Sequence, residues 1–205
     1  MTIRKLRTTF SALLLVLISG CARSPAIHYY QLVSPEPARS DQVAPAGLDV
    51  VLGLGPVHLP EYLDQQKIVS RLSANRLQLS DVHRWIEPLA DNFTRVLQQE
   101  LASRLHPRLM VIFPWPLSQR VNIQVIVDVL RFETESDGTA WLLVNWRVQN
   151  REGKLLQPEK QASFRTKRPA HDYGDRVQAL NEALDQFADE LAAQLLPLLQ
   201  KAAAS

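Results

Sequence analysis

Several common features are scarce or missing in this 205-residue chain. Its one cysteine, Cys21, cannot form an intramolecular disulfide, so the fold must be held by its core. Glycine numbers 7 against 13 prolines, which excludes a collagen-like repeat. Neither sign of charge dominates: 23 Lys+Arg face 21 Asp+Glu. Arg4, Lys5 and Arg7 lie in the first 20 residues, which hold no acid, and without them 20 basic groups face 21 acidic ones. A near-neutral body lacks the clustered cations that counterion release from phosphates requires, so no nucleic-acid partner is expected. No apolar run approaches the roughly 20 residues of a membrane-spanning helix. A composition of 46% hydrophobic and 21% charged residues excludes both a polytopic membrane protein and a disordered polar chain. No internal repeat is visible, and the length suits one domain with a real core.

What is present begins with an address. Arg4, Lys5 and Arg7 precede the mostly apolar run Phe10 to Ile18, and Ser19, Gly20 and Cys21 follow. A positive start, a short apolar stretch and small residues form a secretory signal. Ile18-Ser19-Gly20-Cys21 looks like a bacterial lipobox. That likeness implies cleavage before Cys21, a diacylglyceryl thioether on its sulfur and acylation of the new amino terminus. An ordinary signal with a chance cysteine, or a buried core segment, is the bland alternative. Ala22 and Arg23 follow the cysteine, with no aspartate at the second mature position. By analogy with enteric sorting, this favours the periplasmic face of the outer membrane. The expected organisation is a signal peptide over 1–20, a short tether over 21–27, one domain over 28–200 and a tail over 201–205.

The body reads as α/β of the α+β type. His28–Val33 is a predicted strand, and the proline-rich 34–47 a loop or semi-rigid spacer. Leu48–Leu54 is a β-rich run that Gly55-Pro56 should end, and Pro60 argues against a central strand over 57–64. Lys67–Leu72 and Arg76–Leu79 are short predicted strands. Pro88 suits a helix start, and Leu89, Phe93, Val96, Leu97, Leu101 and Leu105 recur at helical spacing before Pro107. Arg108–Phe113 is a short apolar strand. Alternation from Val121, the Asp137-Gly138 turn and a second turn at Glu152-Gly153 predict a three-stranded antiparallel meander to Thr166. Its phase slips near Ile126, Leu130 and Phe132, which a bulge, or burial of both faces there, would explain. Asp175 to Gln200 is a second amphipathic helix, which Pro197 should kink or terminate. The expected architecture is a single-layer mixed sheet that includes the meander, covered by the two helices.

Motifs for chemistry are missing or weak. His28, His58, His83, His106 and His171 are scattered without metal-ligand spacing. There is no G-x-S-x-G elbow and no phosphate loop. Gly53-Leu54-Gly55 fails as a dinucleotide fingerprint because His58 stands at the third glycine's place, and a turn is the better account. No catalytic residue, metal or cofactor is therefore assigned, apart from covalent lipid on Cys21. Two proline- and aromatic-bearing segments stand out, 57–64 and 82–89. Leu59, Pro60, Tyr62, Leu63 and Trp85 are the candidate contacts to a partner or neighbouring subunit. Tyr62 and Trp85 are either interface anchors or plugs at the ends of the sheet.

The order of motifs carries a resemblance. After the lipobox come Tyr30-Gln31-Leu32, then Gly55 through Asp64 (GPVHLPEYLD), Ile68-Val69-Ser70-Arg71, Asn75-Arg76-Leu77, Trp85-Ile86-Glu87-Pro88-Leu89 and a helix from about Asp91. This resembles the PqiC-type family of ABC-transport auxiliary lipoproteins, most specifically over 53–105. The resemblance implies a non-enzymatic envelope lipoprotein. Its partners would be an MCE-domain protein bridging the two membranes and the membrane permease system. The implied process is lipid transport that maintains the outer membrane, and the implied assembly a homo-oligomeric ring. Three alternatives stay open. They are another outer-membrane assembly lipoprotein such as a lipopolysaccharide-transport plug, an envelope hydrolase with a non-local triad, and a lipid-carrying module with a dry cavity.

Overall fold

Thirteen consecutive strand residues, Ile123–Glu135, form the longest strand of the sheet and organise the rest. The computed structural model describes residues 25–34, 48–169 and 172–204. The signal, the lipobox with Cys21, most of the 34–47 spacer and His171 lie outside the described residues. In chain order the elements are β1 His28–Tyr30, β2 Leu48–His58, β3 Lys67–Ser73, β4 Arg76–Trp85, α1 Leu89–Leu105, β5 Pro107–Ile112, β6 Ile123–Glu135, β7 Thr139–Asn150, β8 Lys160–Lys167 and α2 Tyr173–Ala203.

The eight strands make one mixed sheet, as expected. β7 pairs antiparallel with β6, and β8 antiparallel with β7, which is the expected meander. The other edge of β6 is divided. Its first half takes β2 in parallel, from Leu52↔Ile123 to His58↔Asp128, and β5 lies parallel beyond β2. Its last residues take β3 in parallel, at Ser70↔Thr134 and Arg71↔Glu135. β4 pairs antiparallel with β3, and β1 parallel with β4. The anticipated bulge sits at Leu130: Val129 faces Val144, but the next pair is Arg131↔Leu143. The extra residue turns Phe132 inward, where it is buried edge-on against Phe93 of α1.

Both helices cover one face. The apolar stripe of α1 is buried at every position its spacing predicts. In α2, Val177, Leu180, Leu184, Phe187, Leu191 and Leu195 are buried, with alanines between them allowing close approach. Arg104 of α1 clamps the pair through Asp189 at 2.6 Å and through Asp185, and Glu100 one turn earlier on α1 also engages it. Asn92 of α1 is buried and clasps the chain just after β1. Its Oδ1 accepts from Leu32 N at 2.6 Å, and its Nδ2 donates to Leu32 O at 3.1 Å. Asn181 of α2 accepts from Val33 N at 3.1 Å. Among the described residues, no helix is long and apolar enough to cross a membrane.

Four local expectations are corrected. β2 does not stop at Gly55-Pro56. Gly55, at φ +106°, absorbs an irregularity between Leu54 and Val57, after which the ladder to β6 resumes through His58. Residues 57 and 58 are thus part of a central strand, and Pro60 lies beyond its end. β4 runs on to Trp85, because Ser80 Oγ accepts from His83 N at 3.0 Å within an irregular stretch that re-registers the strand. The sequence pattern places the third meander strand over Lys154–Thr166, but β8 starts only at Lys160. Only the isolated bridge Gln149↔Leu155 precedes it, and Pro158 offers no N–H to a ladder. Finally, Pro197 does not end α2, which continues to Ala203 and takes in part of the expected tail. Leu195 and Leu199, buried on either side of it, hold the last turns to the core.

Gly53 belongs to β2 rather than to a turn. Its missing side chain leaves a seat for Trp115, which folds over the sheet face opposite the helices. A Cβ there would stand 2.7 Å from Cη2 of Trp115 and 2.9 Å from Cγ1 of Val121. Gly53→Ala should therefore lower unfolding stability by about 1–3 kcal/mol. The loss should shrink clearly in a Trp115→Ala background, as a denaturation double-mutant cycle would show. Strict additivity would mean that the ring does not use this seat.

Candidate docking surface

The 59–66 connector has to carry the chain from the end of β2 to the start of β3, both of which pair with the same edge of β6. It does so through a tight turn. Leu63 N and Asp64 N both donate to Pro60 O, at 2.9 and 3.2 Å, and Gln65 Nε2 donates to Tyr62 O at 2.6 Å. The turn drives Leu63 into the core, where it is 2% exposed. Trp85 N donates to Gln66 O at 2.7 Å, two residues beyond the 57–64 segment. Trp85 is only 4% exposed, within the same core. Leu63 and Trp85 are therefore withdrawn as partner contacts, since neither offers surface. Leu59, Pro60 and Tyr62 are half-buried and keep one side open.

The Tyr62 ring is fixed by a buried carboxylate. Glu133 is fully buried on β6. Its Oε2 accepts from Tyr62 Oη at 2.7 Å, and its Oε1 accepts from Arg71 Nε at 2.6 Å and Arg131 Nε at 2.7 Å. Burial, with the hydrogen bond and charge of Glu133, holds the Tyr62 phenol well above its ordinary range, and Arg71 opposes this in part. The same carboxylate raises Arg71. Arg131 also reaches Glu135 at 2.9 Å and lies over the Trp141 ring, which Arg165 stacks on from 3.3 Å. Two acids among these cations leave a charged, well-braced outer face.

A second feature was not legible in the sequence. A groove of about 290 Å³ runs between Gly55–Val57 of β2, Ala90, Asp91 and Thr94 of α1, and Ile112-Phe113 at the end of β5. Among the described residues β5 is an edge strand; Ile112 and the following Phe113 are exposed beside the groove, and Leu109 is exposed on the opposite face of the strand. Leu117, in the loop that follows, is fully exposed. Gln98 Nε2 covers one edge carbonyl, that of Met110, at 3.2 Å. An apolar edge strand with open backbone groups is a template for another chain. The apolar run 108–113 was readable as a strand. Its position at the edge was not, because that depends on parallel pairing with β2.

Of the histidines, His28 and His83 are brought together by the β1–β4 register and stack at 5.3 Å. His83 also stacks on Tyr173 of α2 at 3.8 Å, and its Nδ1 lies 2.9 Å from Tyr30 Oη. Burial, then the neighbouring His28, push His83 below its ordinary value, and Asp172 offsets part of this. His58 Nδ1 is 2.7 Å from Asp128, which Arg147 also engages at 3.2 Å. Among the described residues, no group of three or more His, Cys, Asp or Glu side chains could hold a metal ion.

Comparison with known proteins gives a family and a fold. The family model described as "ABC-type transport auxiliary lipoprotein component" matches residues 30–192. None of the curated proteins matches the chain. The crystal structure of an uncharacterized protein superposes with a TM-score of 0.67 at 21% identity, covering 83% of this chain and 99% of that one. A protein from Xanthomonas campestris of the DUF330 family superposes with a TM-score of 0.67 at 17% identity, covering 88% of this chain and all of that one. At these identities the likeness concerns the fold.

Two measurements test the site. Glu133→Ala leaves Arg71 and Arg131 without their shared buried partner and should cost about 3 kcal/mol, read from urea unfolding. Tyr62→Phe removes one hydrogen bond to a charged group and should cost about 2 kcal/mol. An unchanged midpoint for Tyr62→Phe would instead return that side chain to the list of free partner contacts. The second test is of pH. His83 is depressed in the folded state, so its contribution is complete above its ordinary value of 6.5 and declines as pH falls below that through the folded value. The melting temperature should drop more steeply from pH 8 toward pH 5 in the native protein than in His83→Gln. Parallel profiles would refute the assignment.

Proposed function

Because the chain belongs to the family of ABC-type transport auxiliary lipoprotein components, as the match over residues 30–192 establishes, we propose that it is the lipid-anchored, non-catalytic accessory subunit of an MCE-type intermembrane lipid transport system. The anchor in this reading is Cys21, with a diacylglyceryl group on sulfur and an acyl chain on the amino terminus. Each buried methylene is worth about 0.8 kcal/mol, so several chains together make release negligible. The periplasmic face of the outer membrane is the site that Ala22 and Arg23 favour.

The mechanical role follows from three features. The tether over 21–27 spans at most about 20 Å when extended, which keeps the domain at its membrane. Asn92 and Asn181 clasp residues 32 and 33 to both helices, so a pull on the tether is taken up by the core rather than by β1 alone. The β5 edge and its groove then serve as the seat for the MCE-domain bridging protein, with the Leu59-Pro60 turn following directly from Val57 at the groove wall. Apolar side chains beside an open strand edge suit an added strand, whose backbone supplies affinity and whose alternate side chains supply specificity. Among the described residues β1, β5 and β8 each pair on one side only, which leaves room for neighbouring copies in a ring.

A photo-crosslinking residue at Leu117 of the full-length protein, activated in intact cells, should capture an MCE-domain protein. Ile112→Asp should reduce the yield about tenfold, as loss of a central anchor does, while the melting temperature stays close to native. Cys21→Ala should lose acyl labelling and leave the membrane fraction. Capture of a β-barrel instead of an MCE-domain protein would favour the other assembly lipoprotein, and continued acyl labelling of Cys21→Ala would remove the anchor.

A further inference from the structure

We propose that the sheet face formed by Ile27, Tyr29, Arg84 and Ile86, opposite the helices, rests on the lipid surface of the membrane that holds the anchor. The inference rests on the tethering reading above and adds an orientation to it.

The register sets this face. Tyr29 stands beside Arg84 and Tyr30 beside Trp85, in parallel strands whose side chains alternate in direction. Trp85 is buried and Tyr30 packs toward Tyr173 of α2, so that parity belongs to the helix side. Tyr29, Arg84 and Ile86 take the other side, and Ile86 N extends the ladder to Tyr30 O at 2.9 Å. Exposure agrees: Ile27 is 43% accessible, Tyr29 56% and Ile86 57%. Three large apolar or aromatic side chains thus stand exposed around one arginine.

Where the chain comes from selects the occupant. Five residues separate Cys21 from Ile27, an extended reach of about 20 Å. This patch is therefore where the domain meets its own tether, and the clasp on residues 32 and 33 keeps β1 from peeling away to lengthen it. The chemistry fits a lipid interface. Tyrosine favours the headgroup level, where its ring is apolar and its hydroxyl wet. Arginine suits phosphate oxygens, and anionic lipid attracts it. The neighbouring acids are already engaged, Asp81 by Lys67 at 2.8 Å and Glu87 by Arg95. Arg84 Nε is buried without a hydrogen-bond partner among the described residues. A domain seated this way holds β5, at the opposite end of the strand order from β1, free for a partner.

The test uses the full-length acylated protein in vesicles of phosphatidylethanolamine and phosphatidylglycerol. Tyr29→Cys, Ile86→Cys and, as control, Leu155→Cys on the β7–β8 connection each carry an environment-sensitive fluorophore. Nitroxide lipids labelled near the headgroup should quench and blue-shift the labels at 29 and 86, and leave the label at 155 unaffected. Arg84→Glu should weaken the quenching at 86, because it sets a carboxylate against phosphate. Labels at 29 and 86 that stay in water, while the protein floats with the vesicles, would overturn the seat and leave the anchor standing. Failure to float at all would overturn the anchor and the seat with it. Shielding that appears without vesicles and grows with protein concentration would assign the face to a second copy instead.

Discussion

A fully buried carboxylate holds the sheet where it divides. Glu133 sits near the end of β6, where that strand's free edge passes from β2 to β3. A lone buried charge would cost several kcal/mol, yet here both oxygens are occupied by donors from three segments. Arg71 comes from β3, Arg131 from β6 itself, and Tyr62 from the connector that must cross between the two branches. The branch point is thus held by charge-assisted hydrogen bonds on one face and by the Phe132–Phe93 contact on the other. The bulge at Leu130 makes this possible, since the extra residue lets Glu133 face outward while Phe132 turns to the helices.

With the fork held, the two branches serve different ends. One carries β3, β4 and β1, and ends at the first described strand of the chain. The other carries β2 and β5, and ends in an apolar edge beside a groove. Both helices lie on the same face and bind the two branches into one core, and Arg104 ties them to each other across their charged sides. In the proposed reading, a protein tethered at one end and open to strand pairing at the other holds a partner at a fixed place. This is consistent with an auxiliary component of a transport system.

Much of the fold was readable from local pattern. The α1 stripe, the α2 stripe and the β6–β8 meander follow from periods of 3.6 and 2. The phase slip around Leu130 even marked the bulge. Two of the corrections share one cause: proline and glycine were read as stops. Gly55-Pro56 bends β2 without ending it, and Pro197 removes one bond from a helix held by Leu195 and Leu199. In both cases long-range packing outweighs a local preference worth about 3 kcal/mol or less. The site was less legible. Tyr62 keeps one side open, but the identical argument also picked the buried Trp85, because an aromatic beside a proline reads the same way in a core as on a surface. The β5 edge went unnoticed, since nothing in 107–117 states which strand lies beside it.

By itself, the sequence determined the number and kind of elements, and the faces they bury. These depend on neighbours within a few residues, where side-chain period and chain stiffness act directly. Only the tertiary structure decided that β6 is shared by two branches, that Glu133 is buried and satisfied, that Leu63 and Trp85 are core, and that β5 is open. Each of these depends on contacts between residues far apart in the chain, such as Tyr62 with Glu133 or Leu32 with Asn92. A hydrogen bond or a parallel register of that kind leaves no periodic trace in either segment.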